Sequence, residues 1–238
     1  MNKIGILGYG EVGQAMSKFY DEHFVCTRDG SNFEIGMDII HVCLPYSSSF
    51  ERIVLKNIKK FKPKYVVIHS TVKVGTTERI RFKADIPVLH SPIRGVHPEL
   101  YEGIKTFVKY IGADEIHEGE HIKKHFESIG ISSEVIIGSK HTELGKLLDT
   151  TYYGICIAFH DYADKLCEKE GLRFRDVMEI FNKTYNEGYT KLNMANVVRP
   201  VLYPPKGKIG GHCIRPNCKI LKEQFGKNEI LKSILKVK

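Results

Sequence analysis

The chain has 238 residues, 42% of them hydrophobic and 27% charged, with a formal net charge of +8. That is an ordinary globular balance. No run of about 18 apolar residues marks a membrane span, and no basic cluster interleaved with aromatics marks a nucleic-acid surface. The excess of Lys and Arg reads as a solvated surface that also suits a small anionic partner.

Met1 leads straight into an apolar segment with no cleavable signal pattern. The six cysteines (Cys26, Cys43, Cys156, Cys167, Cys213, Cys218) are too sparse for a disulfide scaffold. The expectation is reduced thiols in a cytoplasmic protein. Apolar, β-rich runs recur at 3–7, 24–27, 38–44, 65–69, 87–90, 107–111 and 135–137, separated by helical or polar stretches. Several are too continuous for half-exposed strands, so they predict a sheet covered on both faces. The alternation predicts right-handed crossovers and a doubly wound α/β fold of Rossmann type with a mainly parallel sheet. From about Ser139 the period becomes helical: Leu144, Leu147, Thr151, Ile155, Ala158, Phe159 and Tyr162 predict one long helix ending near Gly171. A second helix is expected at 175–185, an ordered Pro/Gly loop at 199–211, and one terminal basic amphipathic helix at 219–238. The expected division is a dinucleotide-binding domain at 1–138 and an all-helical domain at 139–238, its long helix packing on the sheet or forming a dimer core.

Gly8-Tyr9-Gly10-Glu11-Val12-Gly13 follows the first strand and opens a helical segment. In that context the first Gly makes the tight turn, the second admits a pyrophosphate to the backbone, and the third lets helix and strand pack closely. Asp29, after the second run, is placed to accept the ribose hydroxyls of NAD, while the adjacent Arg28 could accept the extra phosphate of NADP; NAD is the preferred reading. Leu44, Pro45 and Tyr46 follow the third run, and Ser70 and Thr71 the fourth. In open α/β sheets these carboxyl ends face the ligand. The same residues also serve as strand ends and helix caps.

Near the other end, Gly210-Gly211-His212-Cys213 presents a thiol on a loop whose glycines allow close approach of a ligand. His212, Lys208 and Arg215 surround Cys213 with positive charge, which favours a thiolate nucleophile. A small buried cysteine is the plainer alternative. His212, Cys213 and Cys218 lack the spacing and the fourth ligand of a zinc site, so no metal is expected. Lys146 shares a helix face with Glu143 and Thr150.

The segments GYGEVG (8–13), CLPYS (43–47), HSTVKVGTT (69–77), SPIRG (91–95), ELGKLLDTTY (143–152), GLRFRDVMEIFN (171–182) and GGHCIRPN (210–217) resemble, in order, the motifs of the UDP-glucose/GDP-mannose dehydrogenase family. The resemblance implies oxidation of a sugar-nucleotide alcohol by two NAD, through a thiohemiacetal and a thioester on the cysteine that matches Cys213. Lys146 matches the lysine that moves a proton or stabilises an oxyanion. Thr71, Arg94, Gly210, Gly211 and His212 match positions around nicotinamide and substrate. A homodimer through the long helix is also implied. Four positions depart from the family: Thr150 stands for an Asn, Asn217 for an Asp, Ile93 for a Glu, and His97 for a second acidic residue. Asn217 cannot accept a proton, and His97 is either a replacement base or a loop histidine. The chain ends about 25 residues past Cys213, without the family's second nucleotide-binding domain, so it reads as a truncated form that takes a smaller substrate or has its site completed by a partner subunit. The alternatives are a two-electron oxidation of the β-hydroxyacid dehydrogenase kind, or a non-catalytic NAD-binding subunit.

Overall fold

The computed structural model describes residues 2–207, 209 and 213–237. The described residues fall into two compact units, Met1–Lys146 and Leu147–Lys238. The division lies inside the long helix rather than at its start.

The first unit runs β1 (Ile4–Leu7), α1 (Glu11–Ser17), β2 (Phe24–Cys26), β3 (Ile39–Val42), α2 (Phe50–Phe61), β4 (Tyr65–Ile68), α3 (Thr76–Ala84), β5 (Val88–His90), α4 (Leu100–Thr106), β6 (Lys109–Ala113), α5 (Ile116–Ser128) and β7 (Ser133–Ile137). All seven apolar runs are strands, in one sheet of order β2-β1-β3-β4-β5-β6-β7. The first five strands are parallel. β6 pairs antiparallel with β5 through His90 and Gly112, and β7 pairs parallel with β6, so the sheet is parallel only in its main part.

Both faces are covered, as the continuous apolar runs require. Ile4, Ile6, Val67, Leu89 and Ile111 point to one face and pack with Met16, Ile122 and Phe126. Leu7, Ile40, Val42, Val66, Ile68 and Val88 point to the other, under the Phe50/Val54/Ile58/Phe61 stripe of α2. The two-residue alternation of side chains along each strand makes this partition. It also sends His41, His69 and Lys109 to the first face, against an otherwise apolar layer.

The second unit is helical. α6 (Ser139–Lys169) begins in the first unit and supplies most of its length to the second. After it come a π-helical turn (Arg175–Glu179), α7 (Ile180–Lys191), a 3₁₀ turn (Ala195–Val197), α8 (Ile214–Phe225) and α9 (Glu229–Lys236). The terminal helix expected from the sequence is therefore two helices. Gly226, at φ 88, ends α8, and Asn228 caps α9 by accepting from the Leu231 amide at 2.8 Å. α8 and α9 pack on α6 where Gly154 removes a side chain: a Cβ there would lie 2.7 Å from Ile214.

Candidate functional site

The glycine turn after β1 has the geometry its sequence calls for. Gly8 sits at φ +93, and its amide donates to the Cys26 carbonyl at 2.8 Å, joining the turn to the end of β2. A side chain at Gly13 would place its Cβ 2.1 Å from the Gly8 carbonyl oxygen. Only glycine lets α1 leave the strand this closely. Around Gly10, by contrast, an added Cβ would meet nothing within 4 Å. The backbone there is bare and open, a cradle that fits a dinucleotide phosphate. Tyr9 and Val12 flank it. The Tyr9 hydroxyl lies 3.2 Å from Ser17 Oγ, and Val12 packs into the core.

Arg28 and Asp29 stand exposed in the turn after β2. That turn is closed by the Thr27 amide donating to the Gly30 carbonyl at 2.8 Å. At the end of β3, Leu44 packs close to Gly8 and its carbonyl accepts from Ser70 Oγ at 2.5 Å. The segments after β1, β3 and β4 are thus tied together at one sheet edge. Pro45 is exposed there, Thr71 is half-buried, and the Tyr46 ring tilts against Phe50 at 5.5 Å.

Three sets of contacts escaped the reading of the sequence, though two of them involve residues it named. The first is a polar string through the core of the first face. His125 Nε2 lies 2.9 Å from the Tyr20 hydroxyl, which lies 2.8 Å from His41 Nε2. His41 Nδ1 lies 2.9 Å from His69 Nε2, and His69 Nδ1 lies 2.8 Å from the Ser91 carbonyl. A carbonyl only accepts, so His69 donates from Nδ1, and the remaining donors align one way: His41 to His69, Tyr20 to His41, His125 to Tyr20. Lys109 Nζ donates to the same Ser91 carbonyl at 2.7 Å. Burial holds His41 and His69 well below the usual histidine range and brings Lys109 down to about 7. His90 falls to about 3, also through burial; its Nδ1 lies 2.8 Å from Thr142 Oγ1 and its Nε2 3.1 Å from the Ser70 carbonyl. Imidazoles and an ammonium set within apolar strand runs were the available signal.

The second is Glu143, fully buried on α6. Its carboxylate accepts from the Gly75 amide at 2.5 Å, the Thr77 amide at 2.8 Å and Thr77 Oγ1 at 2.7 Å. This ties α6 to the loop that follows β4, one turn before Lys146. Lys146 itself is half-buried, and its charge acts against protonation of both His90 and Lys109. The third is His97, whose Nδ1 lies 2.5 Å from Glu11 Oε2 in the glycine fingerprint. Arg94 stacks on Phe107 and Tyr110, with its guanidinium 5.4 and 5.3 Å from the ring centres. Ile93 is buried in the core of the first face.

Cys213, Asn217 and Thr150 belong to the second unit. Cys213 is the half-buried residue before α8, and Asn217 follows one turn later on the same helix, buried, its amide nitrogen without a partner among the described residues. Thr150 is buried on α6. Gly210, Gly211 and His212 lie outside the described residues. No cluster of metal-ligating side chains occurs among the described residues, and no described helix is long and apolar enough to cross a membrane.

No family model matches the chain. Among curated proteins it is 28% identical over 151 residues to a UDP-N-acetyl-D-mannosamine dehydrogenase of Methanococcus vannielii, a match covering 63% of this chain and 32% of that protein. It is 27% identical over 168 residues to the enzyme of the same name from Methanocaldococcus jannaschii, covering 67% and 36%. In sequence the chain is similar to these UDP-N-acetyl-D-mannosamine dehydrogenases. The matched region spans about a third of these curated dehydrogenases' length. In fold, the chain superposes on the UDP-D-ManNAc dehydrogenase of Pyrococcus horikoshii with a TM-score of 0.76 at 16% identity, over 98% of this chain and 68% of that one. It also superposes on a Mycobacterium tuberculosis 3-hydroxyisobutyrate dehydrogenase with a TM-score of 0.71 at 14% identity, over 99% of this chain and 91% of that one.

Proposed function

We propose that the chain is the dinucleotide-binding and helical part of an NAD-dependent oxidoreductase that oxidises an alcohol of a nucleotide-linked sugar. The observation that carries the reading is the open backbone at Gly10, set between Gly8 and Gly13 at the carboxyl edge of the sheet. Leu44, Pro45, Tyr46, Ser70 and Thr71 complete the cofactor edge, and Asp29 receives the adenosine ribose. When bound, NAD supplies the hydride acceptor. Lys146 stabilises the alkoxide as the hydroxyl loses its proton, and Cys213 supplies a thiolate to an aldehyde product. Arg94, Thr150, Gly210, Gly211 and His212 are assigned to substrate. Asn217 offers an amide donor but no proton acceptor, so thioester hydrolysis has no base at that position.

The second reading is a two-electron oxidation that stops before any thioester. It is supported by the fold likeness to a 3-hydroxyisobutyrate dehydrogenase over nearly that chain's whole length. We also assign a homodimer to α6, where Leu148, Tyr152, Phe159, Tyr162 and Leu166 recur at helical spacing and are exposed.

The test is NADH formed per molecule of UDP-N-acetylmannosamine or UDP-glucose consumed, in wild type and Cys213→Ser. Two NADH, falling to one or none in the variant, supports the four-electron reaction. One NADH with activity intact in the variant supports the second reading. No NADH with any sugar nucleotide, from protein that binds NADH, overturns the sugar-nucleotide assignment.

A further inference from the structure

Glu11 lies within the glycine fingerprint, at its fourth position, on the first turn out of the cradle. Its carboxylate is more than half exposed. A negative charge there works against a dinucleotide phosphate at Gly10, and in a half-exposed setting such a repulsion changes affinity by about tenfold. The structure supplies a partner from far along the chain. His97, 86 residues away, brings Nδ1 to 2.5 Å from Glu11 Oε2.

The segment that delivers His97 is held in place independently of that contact. The Ser91 carbonyl is gripped by His69 and Lys109. Gly95 lies so close to Gly103 of α4 that a Cβ on Gly103 would come within 2.6 Å of Gly95 Cα. α4 in turn leans on the segment just after α1, with the Phe19 and Tyr101 rings 4.8 Å apart. His97 is therefore presented to Glu11 by packed backbone.

We propose that His97 is a positioning residue for the dinucleotide, acting through Glu11: it donates to the carboxylate that would otherwise oppose the phosphate at the glycine cradle and fixes its orientation. This deepens the dehydrogenase reading and rests on it. The contact also links the cradle to the segment that carries Arg94.

The test is a double-mutant cycle read by direct NADH binding, using His97→Gln, Glu11→Gln and the double variant. His97→Gln weakens NADH binding about tenfold, equivalent to about 1.4 kcal/mol. Glu11→Gln binds at least as tightly as wild type, and the double variant returns to within about twofold of Glu11→Gln. Equal weakening by His97→Gln in both backgrounds, or no weakening in either, overturns the proposal while the dinucleotide reading stands. Wild-type protein that binds neither NADH nor NADPH overturns both.

Discussion

Acid is the perturbation that most directly probes the interior of the first unit. His41, His69 and His90 are 0%, 2% and 0% exposed, and burial holds all three below the usual histidine range, His90 at about 3. In the unfolded chain each titrates near about 6.5. Folded values lie below unfolded ones, so the unfolded state takes up protons first as pH falls. The stability these residues permit is complete above about 6.5 and is lost progressively below it. Each neutral buried histidine steepens the dependence by about 1.4 kcal/mol per pH unit inside that window. Three together imply about 4 kcal/mol lost by pH 5.5, against a total stability of about 5–15 kcal/mol for a domain. Lys109, lowered to about 7, has the same sign but a different window. Its contribution is lost between about 10.5 and 7 and adds nothing further below 7. The assay is urea unfolding followed by circular dichroism at pH 7.5, 6.5 and 5.5. His90→Gln removes one titrating group, and its slope is expected to fall by about 1.4 kcal/mol per pH unit even though its absolute stability drops. A stability that is flat from pH 7.5 to 5.5, or a slope unchanged in the variant, would refute the reasoning.

Two local features make sharper predictions. Gly13→Ala places a methyl 2.1 Å from the Gly8 carbonyl oxygen, so the turn must open; NADH binding, measured by fluorescence titration, is expected to be lost while the helical unit keeps its circular dichroism signal. Glu143→Ala leaves the Gly75 and Thr77 amides without their carboxylate, at a cost on the order of 2–3 kcal/mol in urea stability. Glu143→Gln, which keeps an acceptor oxygen, is expected to lose less.

The strands and the cradle were legible because they are written in neighbouring residues. Runs such as Ile4–Leu7 and Tyr65–Ile68 carry their burial in their own composition. Gly8 and Gly13 are required by the turn they themselves form, and Gly10 leaves its backbone open. The terminal helix was misjudged as one because the apolar period of 219–238 continues past Gly226, whose positive φ breaks it. The polar string was not legible because a histidine in a strand reads the same whether it is lone or paired, until its neighbours across the sheet are known.

By itself the sequence determined the doubly wound plan, the long helix and the glycine turn. All three follow from periodicity and backbone sterics over a few residues. Only the tertiary structure decided the reversal of β6 against β5, the convergence of His69 and Lys109 on Ser91, the seating of Glu143 on Gly75 and Thr77, and the meeting of His97 with Glu11. Each of these depends on which strand lies beside which and on the facing that the pleat imposes. Contacts between residues 18 to 86 positions apart are set by that assembly and by no local pattern.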